Sequence, residues 1–147
     1  MNDLVLRFAT ADDLSQIVKI ENLTNQTPWT EAQFLSSMEV GHFSLVLLQE
    51  SALIGFAIYS PLIPESHLLN IAVSPAHQGE GLGRRLLAHT IDQNKAMGVK
   101  NLSLEVRVSN VAAIALYQSM GFNKDALRPE YYSGNPREDA LLMSLNL

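Results

Sequence analysis

Glu105 is the residue whose position most strongly suggests chemistry. From Leu102 to Val108 the chain alternates, with apolar residues at even positions and polar residues at odd ones, which is typical of a strand. This strand follows a helical segment, so we expect it to run parallel to the strand before that helix, in the centre of a sheet. Central parallel strands are usually apolar on both faces. A carboxylate there predicts that one face opens to a cleft, where it can accept a proton; the alternative is a hydrogen-bonded or solvated glutamate on the strand face.

Tyr117 is the second candidate. It lies in the helix predicted over 111–120, about two turns after Asn110. A phenol has an ordinary pKa of ~10, so it is protonated at neutral pH and can donate a proton. The alternative is that Tyr117 belongs to the apolar core, since its neighbours are Ala, Ile and Leu.

A glycine-rich turn separates the strand predicted over 68–73 from the helix that ends near Gly98. The unpaired N–H groups at the start of a helix and its dipole form an anion site, and Gly81 and Gly83 let a bulky pyrophosphate approach the backbone. The turn is not a P-loop, because no Gly-Lys-Ser/Thr follows, and Arg84 stands where a dinucleotide fold needs Gly or Ala. The alternative is that the glycines only allow close helix–strand packing.

A wider pattern surrounds this turn. Gln78-x-x-Gly81-x-Gly83 resembles the acetyl-CoA signature of the GCN5-related N-acetyltransferase family, and within that family the chain is most similar to bacterial members that acetylate ribosomal proteins. The other segments that carry the resemblance are Pro28-Trp29, Leu104-Glu105-Val106-Arg107, Ser109-Asn110, Ala112 to Tyr117, Gly121-Phe122, Tyr131-Tyr132 and Arg137 to Ala140.

The resemblance implies an α/β (α+β) fold. Its mixed central sheet would have about seven strands, with helices on both faces and a splay between the fourth and fifth strands. The pantetheine arm of the coenzyme would lie in that gap. The length of 147 residues predicts a single domain over 1–147.

The resemblance also implies acetyl-CoA as the acetyl donor, with its pyrophosphate on main-chain amides and its pantetheine along the fourth strand. Glu80 is unfavourable near phosphates, so we expect its side chain to point to solvent. Asn110 is compatible with both a helix cap and a coenzyme contact. The implied coenzyme-binding residues are Ile71, Ala72, Val73, Gln78, Gly79, Glu80, Gly81, Leu82, Gly83, Arg84 and Asn110.

By the same resemblance, Glu105 is the general base, acting directly or through water, and Tyr117 is the general acid that protonates the leaving thiolate. The chain has no cysteine, which excludes disulfides and a cysteine acyl-enzyme and favours direct transfer. The rival hypotheses are an acetyltransferase of small amines or lysine side chains, and an acyl-CoA-binding module without turnover. A binding module would need neither Glu105 nor Tyr117.

The implied acceptor is the N-terminal alanine of the eighteenth protein of the small ribosomal subunit, through its basic tail. Candidate acceptor-binding residues are Glu21, Trp29, Tyr131, Tyr132, Glu138 and Asp139. Each has an alternative: Glu21 can end a helical stripe in water, Trp29 can be a hydrophobic staple, and the tyrosines can pack on the core. Glu138 and Asp139 can form a solvated cluster with Arg137.

Charge, histidine spacing and hydropathy argue against several other classes of protein. The net charge of −5 argues against direct nucleic-acid binding and is compatible with a basic partner. The four histidines show no ligand spacing, so we predict no metal site. No apolar run is long enough for a membrane span, and the start Met1-Asn2-Asp3 lacks the features of a signal peptide, which predicts a cytoplasmic protein.

The elements that must position these residues follow the order β-α-α-β-β-β-α-β-α-β-β, as in the family. Capping boxes at Thr10 and Thr30 predict the starts of the first two helices. Ser60 to Ser66, with two prolines, is predicted as a loop or an irregular strand start. The other predicted strands cover residues 4–9, 42–49, 52–59, 101–109, 122–127 and 140–147.

Overall fold

The computed structural model describes residues 3–147; Met1 and Asn2, which enter the expectation about a signal peptide, lie outside the described residues. Within that range the strands are β1 (Leu4–Phe8), β2 (Phe43–Gln49), β3 (Ala52–Leu62), β4 (Glu65–Val73), β5 (Asn101–Arg107), β6 (Asn123–Tyr132) and β7 (Glu138–Asn146). The α-helices are α1 (Leu14–Thr24), α2 (Glu31–Glu39), α3 (Leu82–Ala96) and α4 (Val111–Ser119).

The strands form one mixed sheet in the order β1-β2-β3-β4-β5-β7-β6. Only β4 and β5 pair in parallel, because α3 carries the chain from the end of one to the start of the other. The predicted sheet of about seven strands is confirmed.

The sheet opens between its fourth and fifth strands, as predicted. Their ladder runs from Glu65–Asn101 to Leu68–Leu104 and ends there. Beyond that point β4 remains paired with β3 as far as Val73, and β5 remains paired with β7, where Glu105 lies opposite Leu142. β4 and β5 each keep one paired neighbour, so both strands remain part of the sheet on either side of the gap.

Helices cover both faces of the sheet, which explains the continuous apolar runs of β2 and β3. On one face α1 and α2 bury Ile17 and Phe34 against residues such as Val46. On the other face α3 and α4 bury side chains such as Leu86 against Leu45. Successive residues of β2 thus contribute to two cores, one on each face of the sheet.

Two strands extend further than the sequence predicts. The segment 60–66, predicted as a loop or an irregular strand start, belongs mostly to strands, since β3 continues to Leu62 and pairs with Glu65 at the start of β4. β6 continues through Pro129 to Tyr132, with an irregular register. Proline signals a break in a sequence, yet on an edge strand like β6 it costs no ladder hydrogen bond.

The first helix begins with a short polar network. A 3₁₀ turn, Ala11–Asp13, precedes α1. Asp13 is buried, and its Oδ2 accepts hydrogen bonds from the Thr10 backbone N–H (2.8 Å) and Arg7 Nη1 (2.8 Å). Its Oδ1 accepts from Arg7 Nη2 at 3.0 Å. The hydrogen bonds from Arg7 hold the pKa of Asp13 below its ordinary value.

We expect Asp13→Asn to lower the free energy of unfolding by about 2 kcal/mol at neutral pH, because the amide offers one acceptor oxygen and no charge. A lowered pKa means that the ionised carboxylate stabilises the fold above the unfolded pKa of ~3.9, and that this stability is lost as the pH falls through the folded value. The difference between wild type and variant, measured by urea unfolding, should shrink below about pH 4. Asp12→Asn, at an exposed neighbour, is the control; a difference independent of pH would contradict this account.

Candidate active site

A cleft of about 1340 Å³ opens where β4 and β5 separate. Its walls come from the second half of β4, the glycine-rich turn, the end of β5, α4, the α1–α2 connection and the end of β6. The residues predicted from sequence that line it are Glu21, Trp29, Ile71, Ala72, Val73, Gln78, Gly79, Gly81, Leu82, Gly83, Arg84, Glu105, Asn110, Tyr117, Tyr131 and Tyr132. Glu80, Glu138 and Asp139 do not line it.

The glycine-rich turn offers a row of free backbone donors. Within residues 3–147, the N–H groups from Gly79 to Arg84 have no hydrogen-bond partner, and they lie at the start of α3. Gly81 has φ 77°, in the left-handed region, and a Cβ on it would meet no atom within 4 Å, so close packing does not explain this glycine. A Cβ on Gly83 would meet Leu116 at 3.6 Å, an ordinary contact. The turn therefore fits a pyrophosphate.

Side chains around the turn hold it in place. The Gln78 side chain donates to the Val73 carbonyl (3.0 Å), which ties the turn to β4. Arg84 donates to Ser119 Oγ (2.6 Å), which ties α3 to α4. The Glu80 side chain is 48% exposed and does not line the cleft; its carboxylate lies 3.5 Å from His77 Nδ1.

Glu105 lies at the base of the opening, directly after the last parallel pair. Its Oε1 is 3.6 Å from Arg128 Nη1 and 3.8 Å from His67 Nε2. Tyr131 also lies beside it, and the proximity of the Glu105 carboxylate is the main reason that the pKa of Tyr131 is raised. The side chain is 21% exposed, so it is a partly shielded carboxylate inside a cleft.

Tyr117 belongs to the apolar core and also lines the cleft. Its ring is buried and packs on Phe122, with centroids 5.6 Å apart. Its hydroxyl has no hydrogen-bond partner within the described chain, yet it is not one of the fully enclosed polar atoms, so the cleft reaches it. Burial, and to a lesser extent Tyr132, raises the pKa of Tyr117. The phenol is therefore held in its protonated form.

Asn110 is the N-cap of α4. Its Oδ1 accepts a hydrogen bond from the Ala113 N–H at 3.2 Å, while the residue also lines the cleft.

Glu21 is fully buried, and the interpretation that it ends a stripe in water is wrong. Its Oε2 accepts three hydrogen bonds of 3.0 Å each, from the Trp29 backbone N–H and from the side-chain amides of Asn25 and Asn70. The network ties the α1–α2 connection to β4. Among the described residues, Glu21 Oε1 has no partner.

Aromatic side chains form the rest of the acceptor side. Trp29 packs on Phe34, with centroids 5.1 Å apart, and still lines the cleft. Tyr131 and Tyr132 meet edge to face at 5.0 Å. Arg128 stacks on the first (4.9 Å) and Arg107 on the second (4.3 Å), so the tyrosines pack against cations. Burial raises the pKa of Tyr132 to about 12.

The last two predicted acceptor residues have structural partners instead. Glu138 accepts from the Ser109 N–H at 2.8 Å and lies 3.2 Å from Arg107 Nη1; its hydrogen bonds with Ser109 are the largest cause of its lowered pKa. Asp139 accepts from the Glu130 N–H at 2.9 Å. Their predicted contact with the acceptor gains no support from this geometry.

Several residues at the site were missed from the sequence, and four of them have charged or polar side chains that contact predicted site residues. They are His67, Asn70, Arg107 and Arg128. Arg107 could have been found, because it lies two residues after Glu105 and therefore on the same face of β5. Arg107 Nη2 also donates to Thr27 Oγ1 (2.8 Å), so this side chain joins β5 to the α1–α2 connection.

Within the part of the chain that the structure describes, no group of three or more potential ligands could hold a metal ion. In the same range, no helix combines the length and apolar character needed to cross a membrane.

Comparisons with known proteins agree with this architecture. The model of the Acetyltransferase (GNAT) family matches residues 11–122. The [ribosomal protein bS18]-alanine N-acetyltransferase of Escherichia coli (strain K12) is 44% identical over 134 residues, which cover 90% of each chain.

Solved structures show the same likeness. The crystal structure of the ribosomal-protein-S18-alanine N-acetyltransferase from Escherichia coli matches with a TM-score of 0.91 and 41% identity, over 99% of this chain and 94% of that one. A protein from Salmonella typhimurium, solved with its cofactor acetyl-CoA, matches with a TM-score of 0.82 and 26% identity, over 98% and 94% of the two chains. The chain therefore belongs to the acetyltransferase (GNAT) family.

Proposed function

We propose that this acetyltransferase moves the acetyl group of acetyl-CoA to the α-amine of the N-terminal alanine of ribosomal protein bS18. The supporting observation is that one cleft joins free turn amides, Glu105 and Tyr117, in a chain that is 44% identical to an enzyme named for this substrate. A protein of net charge −5 also suits a basic acceptor tail.

Acetyl-CoA supplies the activated acetyl group as a thioester. The backbone N–H groups from Gly79 to Arg84 bind its pyrophosphate, helped by the positive end of the α3 dipole. Beyond the last parallel pair, β5 no longer pairs with β4, so the edge of β4 from Ile71 to Val73 is open. The pantetheine arm pairs with this open edge.

Glu105 takes a proton from the acceptor ammonium, directly or through a water molecule. An α-ammonium has a pKa of ~8 and a lysine ammonium ~10.4. Deprotonation at pH 7 costs about 1 kcal/mol for the first and about 4–5 kcal/mol for the second. A single carboxylate base therefore favours an α-amine over a lysine.

Tyr117 gives its proton to the leaving sulfur. A thiol has an ordinary pKa of ~8.5 and burial raises that of Tyr117, so a complete transfer from the phenol alone runs uphill. The phenol must therefore regain a proton as it gives one, and the acceptor nitrogen, which holds an excess proton after attack, is the source. The chain has no cysteine, so no thiol of the protein carries the acetyl group.

Trp29, Tyr131 and Tyr132 line the path of the acceptor peptide, and Glu21 holds that wall in place through Trp29 and Asn70. Glu138 and Asp139 support the same entrance indirectly, since Glu138 holds β7 to the β5–α4 connection and Asp139 holds β7 to β6.

Gly81→Ala tests the coenzyme site. We expect it to weaken acetyl-CoA binding about tenfold, and to lower the free energy of unfolding by about 1 kcal/mol, because an L-residue in the left-handed region is strained. Calorimetric titration and urea unfolding measure the two effects. Gly83→Ala is the matched control for stability, since its Cβ meets only ordinary contacts; equal destabilisation of both variants would contradict the assignment.

Glu105→Gln and Tyr117→Phe test the proton transfers. Each should reduce kcat about 10²- to 10⁴-fold, because each removes one general acid or base, while the Kd of acetyl-CoA stays within about threefold. Steady-state turnover and direct coenzyme binding measure the two quantities. If both variants turned over like the wild type, the proposed roles would be wrong.

A panel of acceptors tests the substrate. We expect fast release of CoA with a peptide that carries the bS18 N-terminus, and almost none when its α-amine is blocked. The reason is that deprotonation of an α-ammonium at pH 7 requires less free energy than deprotonation of a lysine ammonium. A peptide whose only amine is a lysine, and spermidine, are the comparison acceptors. Preference for either of them would overturn the proposal.

A further inference from the structure

His67 is a second titratable group beside Glu105. It lies on β4 opposite Ser103 of β5, one residue pair before the strands separate. Its Nε2 is 3.8 Å from Glu105 Oε1, and both residues line the cleft. The His67 side chain is 34% exposed and that of Glu105 is 21% exposed, so the imidazole lies on the more open side of the pair.

The hydrogen bonds of Ser103 are compatible with a proton on His67 Nδ1. Ser103 Oγ lies 2.9 Å from His67 Nδ1 and donates to the Ser66 carbonyl at 3.4 Å, a pairing in which the serine oxygen can accept from the ring. In the neutral imidazole, a proton on Nδ1 leaves the lone pair on Nε2. That lone pair faces Glu105.

The other neighbours of Glu105 cannot take a proton from it. Arg128 is a permanent cation with no acceptor. The Glu105 carboxylate raises the pKa of Tyr131, burial followed by Glu105 raises that of Tyr132, and both phenols are already protonated. Ser103 is not titratable near neutral pH, and Ser60, the β3 partner of His67, is likewise a hydroxyl. An imidazole is the one side chain in this group whose ordinary pKa lies near neutrality.

The overall reaction requires a proton to leave the cleft. R–NH₃⁺ and CH₃CO–S–CoA give R–NH–CO–CH₃, HS–CoA and H⁺. One of the two protons lost by nitrogen ends on sulfur and the other goes to water. Glu105 must therefore be deprotonated again in every turnover.

We propose that His67 relays this proton from Glu105 to solvent. The inference rests on the proposed role of Glu105 as the base. The O–H bond of the protonated Glu105 breaks while an N–H bond forms on Nε2, and the imidazolium then gives its proton to water; no group is oxidised or reduced. Because 3.8 Å exceeds hydrogen-bond length, the transfer uses a bridging water or a small approach of the side chains. His67 acts through Glu105, so it is a positioning and relay residue.

His67→Gln tests the relay across pH. At pH 7 we expect kcat to fall about tenfold with the Kd of acetyl-CoA unchanged. The deficit should vanish above about pH 9, because an α-amine with a pKa of ~8 then enters neutral, the one proton that its nitrogen loses in the cleft goes to sulfur, and Glu105 has no proton to pass on. His89→Gln, on the outer part of α3, is the matched control and should keep wild-type turnover at every pH.

His67→Ala provides the second measurement. Added imidazole should restore its turnover at pH 7 in proportion to concentration, and should do nothing for the wild type or for Glu105→Gln. A loss that is equal at all pH values and is not rescued by imidazole would show a structural role and overturn the relay. Wild-type turnover of His67→Gln at pH 7 would overturn it too.

Glu105→Gln separates this inference from the proposed function. If Glu105→Gln is inactive while His67→Gln behaves like the wild type, the proposed relay through His67 is wrong and the role of Glu105 as general base is supported. If Glu105→Gln is active, the base fails and the relay fails with it.

Discussion

The site depends on the early end of one β-ladder. β4 and β5 pair over four residues and then separate, yet each stays in the sheet because β3 and β7 hold its other edge. A gap inside a sheet leaves backbone groups without partners, which is costly unless water or a ligand satisfies them. The glycine-rich turn extends the same feature, since its free N–H groups come after the open edge of β4, beyond the short 3₁₀ turn Pro75–His77. The fold therefore builds a binding site by leaving backbone hydrogen bonds unmade.

Hydrogen-bonded charged side chains hold the α1–α2 connection in place as one wall of this gap, on the side proposed for the acceptor. The Glu21 carboxylate connects the α1–α2 segment to β4, and Arg107 connects it to β5 and β7 through Thr27 and Glu138. A buried charge is stable only when it is hydrogen-bonded, so each side chain requires its partners in place. Such a wall has a more specific geometry than an apolar contact, which tolerates sliding. That suits a surface that must present an amine to a thioester.

The parts of this site that could be predicted are those whose signal is local. Glu105 is a carboxylate in a strand whose place after a helix predicts a central position, and Gly81 and Gly83 stand at the start of a helix, so neighbouring residues already single them out. Glu21 could not be placed, because its burial depends on Asn70, 49 residues away, and a stripe of apolar residues predicts only which face is inside. His67 was missed because its partner is defined by the parallel register of β4 and β5. β6 was predicted too short because Pro129 looks like a break, although an edge strand accommodates it.

The surroundings of Glu105 also bear on which acceptors it can meet. In the free protein Arg128 lies 3.6 Å from its Oε1 and is 52% exposed, so the carboxylate already has a cation beside it that water can reach. An exposed ion pair contributes little stability, and its partner is easily displaced. An ammonium that enters the cleft can take over this contact without leaving a buried charge unpaired, whereas a neutral hydroxyl cannot. The site therefore favours an acceptor that arrives protonated, and under the proposed function the carboxylate that attracts the ammonium is the same one that removes its proton.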